Sequence, residues 1–319
     1  MTAGRGAPVG VLLMTYGSAA SAAEVPAYLA SVRGGRPAPD ELVTEFQRRY
    51  ELIGFSPLVR ITQAQGHALQ DLLDQRHRAG AFRVEIGMLH SDPGIDAAVQ
   101  RMAAAGVRNL LGVVLSPQWS PIIMGGYTRA VEAAAHHLGA KASVRVAGPW
   151  HALPGFVKAL TQRVTEALDL FPPEQRDLVP VIFTAHSLPK PVVDQEPEYL
   201  EQIIATVDAV VDAAHLSPER WQFAYQSAGH SPEEWLKPDL KDLLPPLRDA
   251  GHKDVLVVPV QFLADHLEIL YDIDVAAREE AEEVGLNFHR IRLMNTMPAF
   301  ISALAEVVAL EQEPATPST

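Results

Sequence analysis

The chain has 319 residues, 48% of them hydrophobic and 20% charged, with a formal net charge of −13. That acidity, with no Lys/Arg cluster to offset it, excludes a protein built to hold nucleic acid. The absence of cysteine excludes disulfides, Cys-ligated zinc, iron–sulfur clusters and a thiol nucleophile. The opening "MTAGRGAPVG" has no signal-like apolar stretch. No run of 18 apolar residues exists, so no transmembrane segment is predicted and a cytoplasmic protein is expected. The ends "MTAGRGA" and "EQEPATPST" read as frayed tails.

Short apolar runs recur along the chain. In order they are "VGVLLMTYG" (9–17), "FRVEIGML" (82–89), "NLLGVVLS" (109–116) and "SVRVAG" (143–148). After Trp150 the pattern restarts with "VPVIFTA" (179–185), "WQFAYQS" (221–227), "DVLVVPVQ" (254–261) and "FHRIRL" (288–293). Continuous Val/Ile/Leu runs are what parallel strands buried on both faces require. Amphipathic helical stretches separate them, among them "ELVTEFQRRYELI", "GIDAAVQRMAAAG" and "PGFVKALTQRVTEAL". The predicted fold class is therefore α/β: two Rossmann-like domains, each a four-stranded parallel sheet flanked by helices. The expected division is 1–150 and 151–319, with the last helix, "PAFISALAEVVALEQ", packing across the join. No coiled coil or interface stripe is readable, so a monomer is expected.

In such sheets ligands bind beyond the carboxyl ends of the strands. Two domains facing each other would line a cleft with Tyr16, residues 116–127, His186 and residues 261–272. His186, in "FTAHSLP", stands where a buried strand should stop. It is either a packed histidine satisfied by backbone or a functional group placed at a strand end. In "ADHLEILYDID", Asp265, Glu268 and Asp272 fall on one face if the segment is a helix, with His266 and Asp274 elsewhere on it. The plain alternative is a solvated acidic face. Placed in a cleft, such acids would raise one another's pKa and suit a cation path or a proton relay. His186 and Glu268 together offer too few ligands for a tight structural metal site, but suit transient handling of a divalent ion. Arg33, Arg36, Arg48, Arg49 and Arg60 cluster in an otherwise acidic chain and suit a polycarboxylate ligand, unless they pair only with neighbouring glutamates. Tyr16, Trp119, Tyr127, Trp150 and Trp235 are candidates to line a flat apolar pocket or, individually, to pack in the core. There is no GxGxxG, Walker loop, GxSxG or HExxH element.

Taken together, "LLMTYGS", "YELIGFSPL", "FTAHSLP", "YQSAGHSPEEWLKPD" and "FLADHLEILYDID" resemble the ferrochelatases, class II chelatases that insert ferrous iron into a porphyrin. The likeness runs from about residue 9 to about residue 305. It implies the chelatase fold, with His186 and Glu268 as the catalytic and metal-site pair on opposite sides of the porphyrin plane. Asp272 would extend a proton or metal relay. Arg33, Arg49, Tyr50, Ser56 and Tyr127 would contact the porphyrin and its propionates. "MTYGS" is similar to the coproporphyrin-type enzymes of monoderm bacteria, so Tyr16 would bind the porphyrin and ligate the product iron. The implied substrates are coproporphyrin III and Fe2+, with no permanently bound cofactor. Relatives commonly read "IGGxSPL" where this chain has "IGFSPL", one residue shorter, with Phe55 filling in. Rival readings are a protoporphyrin enzyme, another class II chelatase richer in metal-site histidines, and a porphyrin carrier without catalysis.

Overall fold

The computed structural model describes residues 7–229 and 232–312. The expected tails at 1–6 and 313–319, and His230–Ser231 of the "YQSAGHSPEEWLKPD" segment, lie outside the described residues.

Among the described residues, eight strands form where the apolar runs predict them. The first four are β1 (Val9–Thr15), β2 (Phe82–Met88), β3 (Asn109–Val114) and β4 (Ser143–Val146). The second four are β5 (Val181–His186), β6 (Trp221–Gln226), β7 (Asp254–Pro259) and β8 (Asn287–Arg290). They make two four-stranded sheets, ordered β2-β1-β3-β4 and β6-β5-β7-β8. Every pairing in both is parallel. The orders are the same plan used twice. In each, the chain leaves the first strand toward one neighbour and returns to the other side. That reversal opens a crevice beside β1 in one half and beside β5 in the other.

The two sheets do not enclose separate cores. Val11, Leu13 and Val113 of the first sheet join Phe183, Val258 and Phe300 in one continuous apolar cluster. Alternate residues of the second sheet point the other way: Ile182, Val255 and Val257 pack with Leu240, Leu244 and Ala281 in a second cluster. The last helix, Pro298–Leu310, packs against Pro154–Leu168 and Leu58–Arg76, so it touches both halves of the chain. Trp150 belongs to this seam and not to a ligand pocket. It is 6% exposed, its ring lies 5.2 Å from Phe156 and 6.4 Å from Phe300, and its indole N–H donates to the Val114 carbonyl. Among the described residues, no helix is long and apolar enough to cross a membrane.

Candidate active site

The carboxyl ends of β1, β3, β5 and β7 bring the predicted residues together. His186 is the last residue of β5. Its position is set by three contacts. Its backbone N–H donates to Gln261 Oε1 at 3.0 Å. The next residue, Ser187, donates its N–H to the Gln226 carbonyl at 2.8 Å. The ring Nδ1 bonds the Ser187 carbonyl, which can only accept. Nδ1 therefore carries a proton, and in the neutral ring the Nε2 lone pair is free. Nε2 lies 3.7 Å from Glu268 Oε2.

This separation corrects one expectation. A planar macrocycle between two side chains needs roughly 7 Å, two van der Waals contacts of about 3.5 Å each. His186 and Glu268, 3.7 Å apart, cannot flank a porphyrin on opposite sides. Both also come from the second half of the chain, so they form one wall of the cleft.

The acidic segment also differs from the predicted helix. The chain is extended at His266 (φ −159°, ψ −175°) and helical only over Leu267–Leu270. A π-helical turn, Asp272–Ala277, follows. The four acids of the segment consequently divide into two pairs. Asp265 turns away, held by Asn295 Nδ2 at 2.7 Å and by Arg290 at 3.5 Å. Asp274 makes a two-pronged pair with Arg290, both contacts at 2.7 Å. Only Glu268 and Asp272 face the cleft region. Asp272 accepts from Ser227 Oγ at 2.5 Å and lies 3.9 Å from Arg49.

The extended backbone at 266 has a consequence that a helical reading misses. It swings His266 back over Glu268, with Nε2 also 3.7 Å from Oε2, while Nδ1 bonds the Ala264 carbonyl at 2.9 Å. Glu268 thus sits between two imidazoles, and the second histidine that the sequence seemed to lack is next to it. Burial pushes the Glu268 carboxyl up, but the His186 charge and the His266 hydrogen bond and charge outweigh this and hold it at about 2. For His266, burial favours the neutral ring, and the Glu268 hydrogen bond and charge reverse that, leaving its pKa raised. Mutual repulsion therefore does not raise both acids. Asp272 alone goes up, first by burial and then by the Glu268 charge, against the pull of Ser227 and Arg49.

The Glu268–His266 pair yields a pH signature. Glu268, lowered from its ordinary 4.5, stabilises the fold fully above that pH and loses the effect as pH falls toward about 2. His266, raised from its ordinary 6.5, stabilises fully below that pH and loses the effect as pH rises through its folded value. The Tm difference between wild type and His266→Gln is therefore expected to be largest between pH 4.5 and 6.5 and to shrink on both sides. Thermal unfolding across pH 3 to 9 measures it, and a difference flat with pH would contradict the pairing. Glu268 keeps 40% side-chain exposure, so solvent screening limits the size of the effect.

The first half supplies the rest. Tyr16 follows β1, is 44% exposed, and packs edge-on to His90 at 4.5 Å. Burial of its hydroxyl and the charge of Glu268 both raise its pKa. The turn behind it needs Gly17: φ is +97°, and a Cβ there would lie 2.6 Å from Ser91 Oγ. Tyr127 lies on the helix Pro121–Ala134 and is 6% exposed. Its hydroxyl is pushed up by burial and by Tyr16 and Tyr199. Tyr50 is buried, and its hydroxyl bonds Ser18 Oγ at 2.8 Å, anchoring the loop after Tyr16. Tyr28, missed in the sequence, sits among them: burial raises its pKa, followed by the charges of Tyr50, Tyr16 and Glu268.

The arginines divide. Arg33 and Arg36 are exposed, and Arg36 Nε donates to the Arg33 carbonyl at 3.2 Å. Glu45 holds both Arg48 and Arg49, at 2.9 and 2.7 Å. Both guanidiniums also lie against the Tyr271 ring, at 5.5 and 4.8 Å, so the pair bridges the two halves. Ser56 Oγ accepts the Leu58 N–H at 3.3 Å and helps to start the helix Leu58–Arg76. Phe55 takes φ +68°, unusual for a non-glycine, directly after Gly54 at the same φ. Its ring stacks on Tyr50 at 6.5 Å. The shortened loop is thus closed by an aromatic contact.

A two-half cleft with an imidazole–carboxylate–imidazole wall, a facing tyrosine and arginines at its side suits metal insertion into an anionic macrocycle. The family model described as Ferrochelatase matches residues 8–312. The chain belongs to the ferrochelatase family. It is an enzyme that inserts iron into a porphyrin. A "Ferrochelatase" of Deinococcus radiodurans is 38% identical over 302 residues, covering 94% of this chain and 95% of that one. A "Coproporphyrin III ferrochelatase" of Geobacillus thermodenitrificans is 34% identical over 302 residues, covering 94% and 95%. Among solved structures, the sirohydrochlorin chelatase SirB of Bacillus subtilis subspecies spizizenii, in complex with cobalt, is similar in fold. Its TM-score is 0.56 at 11% identity, covering 95% of this chain and 94% of that one.

Proposed function

We propose that this ferrochelatase acts on coproporphyrin III, as a cytoplasmic monomer with no resident cofactor, and that Fe2+ is its second substrate. The observation that carries the assignment of the site is the free Nε2 of His186 set 3.7 Å from an ionised Glu268. Insertion exchanges one Fe2+ for two pyrrole protons, so total charge on the macrocycle is unchanged. The site must attract a cation and accept two protons. Glu268, ionised even in mild acid, supplies the first. The Nε2 lone pair of His186 supplies the second: it takes one pyrrole proton as the nitrogen turns toward the metal, releases it toward Asp272, and then takes the other. Asp272 and Ser227 then carry protons toward solvent. A planar ring presents no lone pair to an incoming ion. Contacts remote from the nitrogens, to Arg33, Arg49, Ser56 and the wall around Tyr50 and Tyr127, supply the binding energy that bends it. Tyr16, from the opposite half, ligates iron in the product.

Coproporphyrin is favoured over protoporphyrin by Tyr16 at the end of β1, by the arginines near the cleft, and by the likeness to the coproporphyrin III ferrochelatase of Geobacillus thermodenitrificans. In an anaerobic Fe2+ insertion assay offering both porphyrins, kcat/KM is expected to be at least ~10-fold higher for coproporphyrin III, because the extra propionates give the arginines at the cleft carboxylate partners that protoporphyrin lacks. A preference for protoporphyrin IX would overturn the substrate reading and leave the metal-site reading standing.

A further inference from the structure

The helix Pro197–Ala213 of the second half presents an unusual face to the first. Its N-cap Glu196, then Tyr199, Gln202 and Thr206, lie on successive turns and all bond outward. Thr206 takes Gln118 Nε2 at 3.0 Å, and both residues are fully buried. Gln202 Oε1 accepts the Trp119 N–H at 2.7 Å and its Nε2 returns a bond to the Trp119 carbonyl at 3.2 Å. Glu196 accepts the Ser120 hydroxyl and the Ile122 N–H, the latter at 3.1 Å. Ser120 Oγ in turn accepts the Ile123 N–H at 3.1 Å. A carboxylate of one half thus completes the N-terminal cap of a helix in the other, where orphan N–H groups and the helix dipole favour an anion. That capped helix carries Tyr127.

Tyr199, one turn on, points the other way along the site. Its hydroxyl takes Gln261 Nε2, and Gln261 Oε1 takes the His186 N–H. The β5–β7 ladder ends at Thr184–Pro259, so on that side the Gln261 amide replaces the strand partner of His186, while on the other side His186 still pairs with Gln226 of β6. One row of side chains therefore touches both the porphyrin-side helix and the backbone of the metal-site histidine. Buried polar bonds fix register in a way that apolar packing does not.

We propose that Glu196, Tyr199 and Gln261 form a strut that sets the position of the Tyr127 helix relative to His186, and that these three are positioning residues for insertion. The proposal rests on the reading of His186 given above. Reacting groups displaced by about 1 Å lose about 10²-fold in rate, so a partial loosening has a measurable effect.

The test uses the full-length enzyme, Fe2+ insertion into coproporphyrin III, and the Kd of the metal-free porphyrin from fluorescence quenching. Tyr199→Phe removes only the hydroxyl that joins the strut. It is expected to lower kcat about 10-fold while Kd moves less than about 2-fold. Glu196→Ala removes the cap and is expected to raise Kd about 5- to 10-fold. Glu196→Gln keeps an acceptor for Ile122 and can donate to Ser120, so it should restore Kd to within about 3-fold of wild type. In the double variant Glu196→Ala/Tyr199→Phe, the effects on kcat/KM should fall short of their product by at least about 3-fold. Strict multiplicativity, or unchanged kcat in Tyr199→Phe, overturns the strut. If Glu196→Ala does not fold, the kcat of Tyr199→Phe at unchanged porphyrin Kd decides the matter. Normal turnover by His186→Ala would remove the site reading by itself, whereas multiplicative effects with an inactive His186→Ala enzyme would remove the strut alone.

Discussion

Replacing His186 with alanine is expected to lower kcat for Fe2+ insertion by at least ~10³-fold while the Kd of the metal-free porphyrin stays within about threefold of wild type. The asymmetry follows from where the ring points. Nδ1 is committed to the Ser187 carbonyl, and Nε2 faces Glu268. The ring is 29% exposed in its side chain and lies 6.5 Å from Phe262, so it contributes one small patch to a large binding wall. Removing it takes away the lone pair nearest to the ionised carboxylate and little of the contact area. Anaerobic insertion kinetics with a parallel binding titration measure both numbers. Turnover within tenfold of wild type would sink the assignment of His186 as the proton acceptor.

Glu268→Gln is expected to lower kcat/KM for Fe2+ by roughly 10²- to 10³-fold, again with porphyrin binding nearly intact. Here the lost quantity is charge. The glutamate carboxyl is ionised at about 2 because it lies between His186 and His266. An amide of the same shape keeps the packing and an acceptor oxygen, but no negative charge then draws a dication between the two imidazoles. The KM for Fe2+ should rise together with the fall in kcat, and the two are separable by varying Fe2+ at saturating porphyrin. An effect confined to porphyrin Kd would mean that Glu268 shapes the pocket and does not handle the metal.

The strands were legible in the sequence because each buried run in a parallel sheet is apolar on both faces. β1, with Val11 to Met14 fully buried, shows this directly. His186 was legible for the same reason: a polar residue ending an apolar run lies at the carboxyl edge. The partnership of Glu268 was only half legible. Helical spacing groups Asp265, Glu268 and Asp272, but the backbone is extended at His266, so the true neighbour of Glu268 is two residues away and the supposed one, Asp265, binds Asn295. A non-helical residue inside an otherwise helical pattern leaves no periodic trace. Tyr28 was not legible at all, and Ser227 and Gln261 were legible only as places, at a strand end and in the predicted cleft wall, with no role. Each becomes functional in appearance only through a partner far along the chain, as in the 75-residue separation of His186 and Gln261. The core position of Trp150 was one of two readings open in the sequence, because an indole in a loop reads the same whether it meets ligand or Phe300.

The last helix has a consequence for how the molecule is made. Pro298–Leu310 supplies apolar residues to the cluster that both sheets share, and it lies against Leu58–Arg76 near the other end of the chain. A nascent chain that has delivered the first sheet still lacks the residues that cover it. The apolar surface of Leu58–Arg76 that the last helix covers stays open until residues 298–310 have been made. Cleft, tyrosine wall and histidine would then become competent in a single late event, and no fragment ending before residue 298 should show porphyrin binding of native strength.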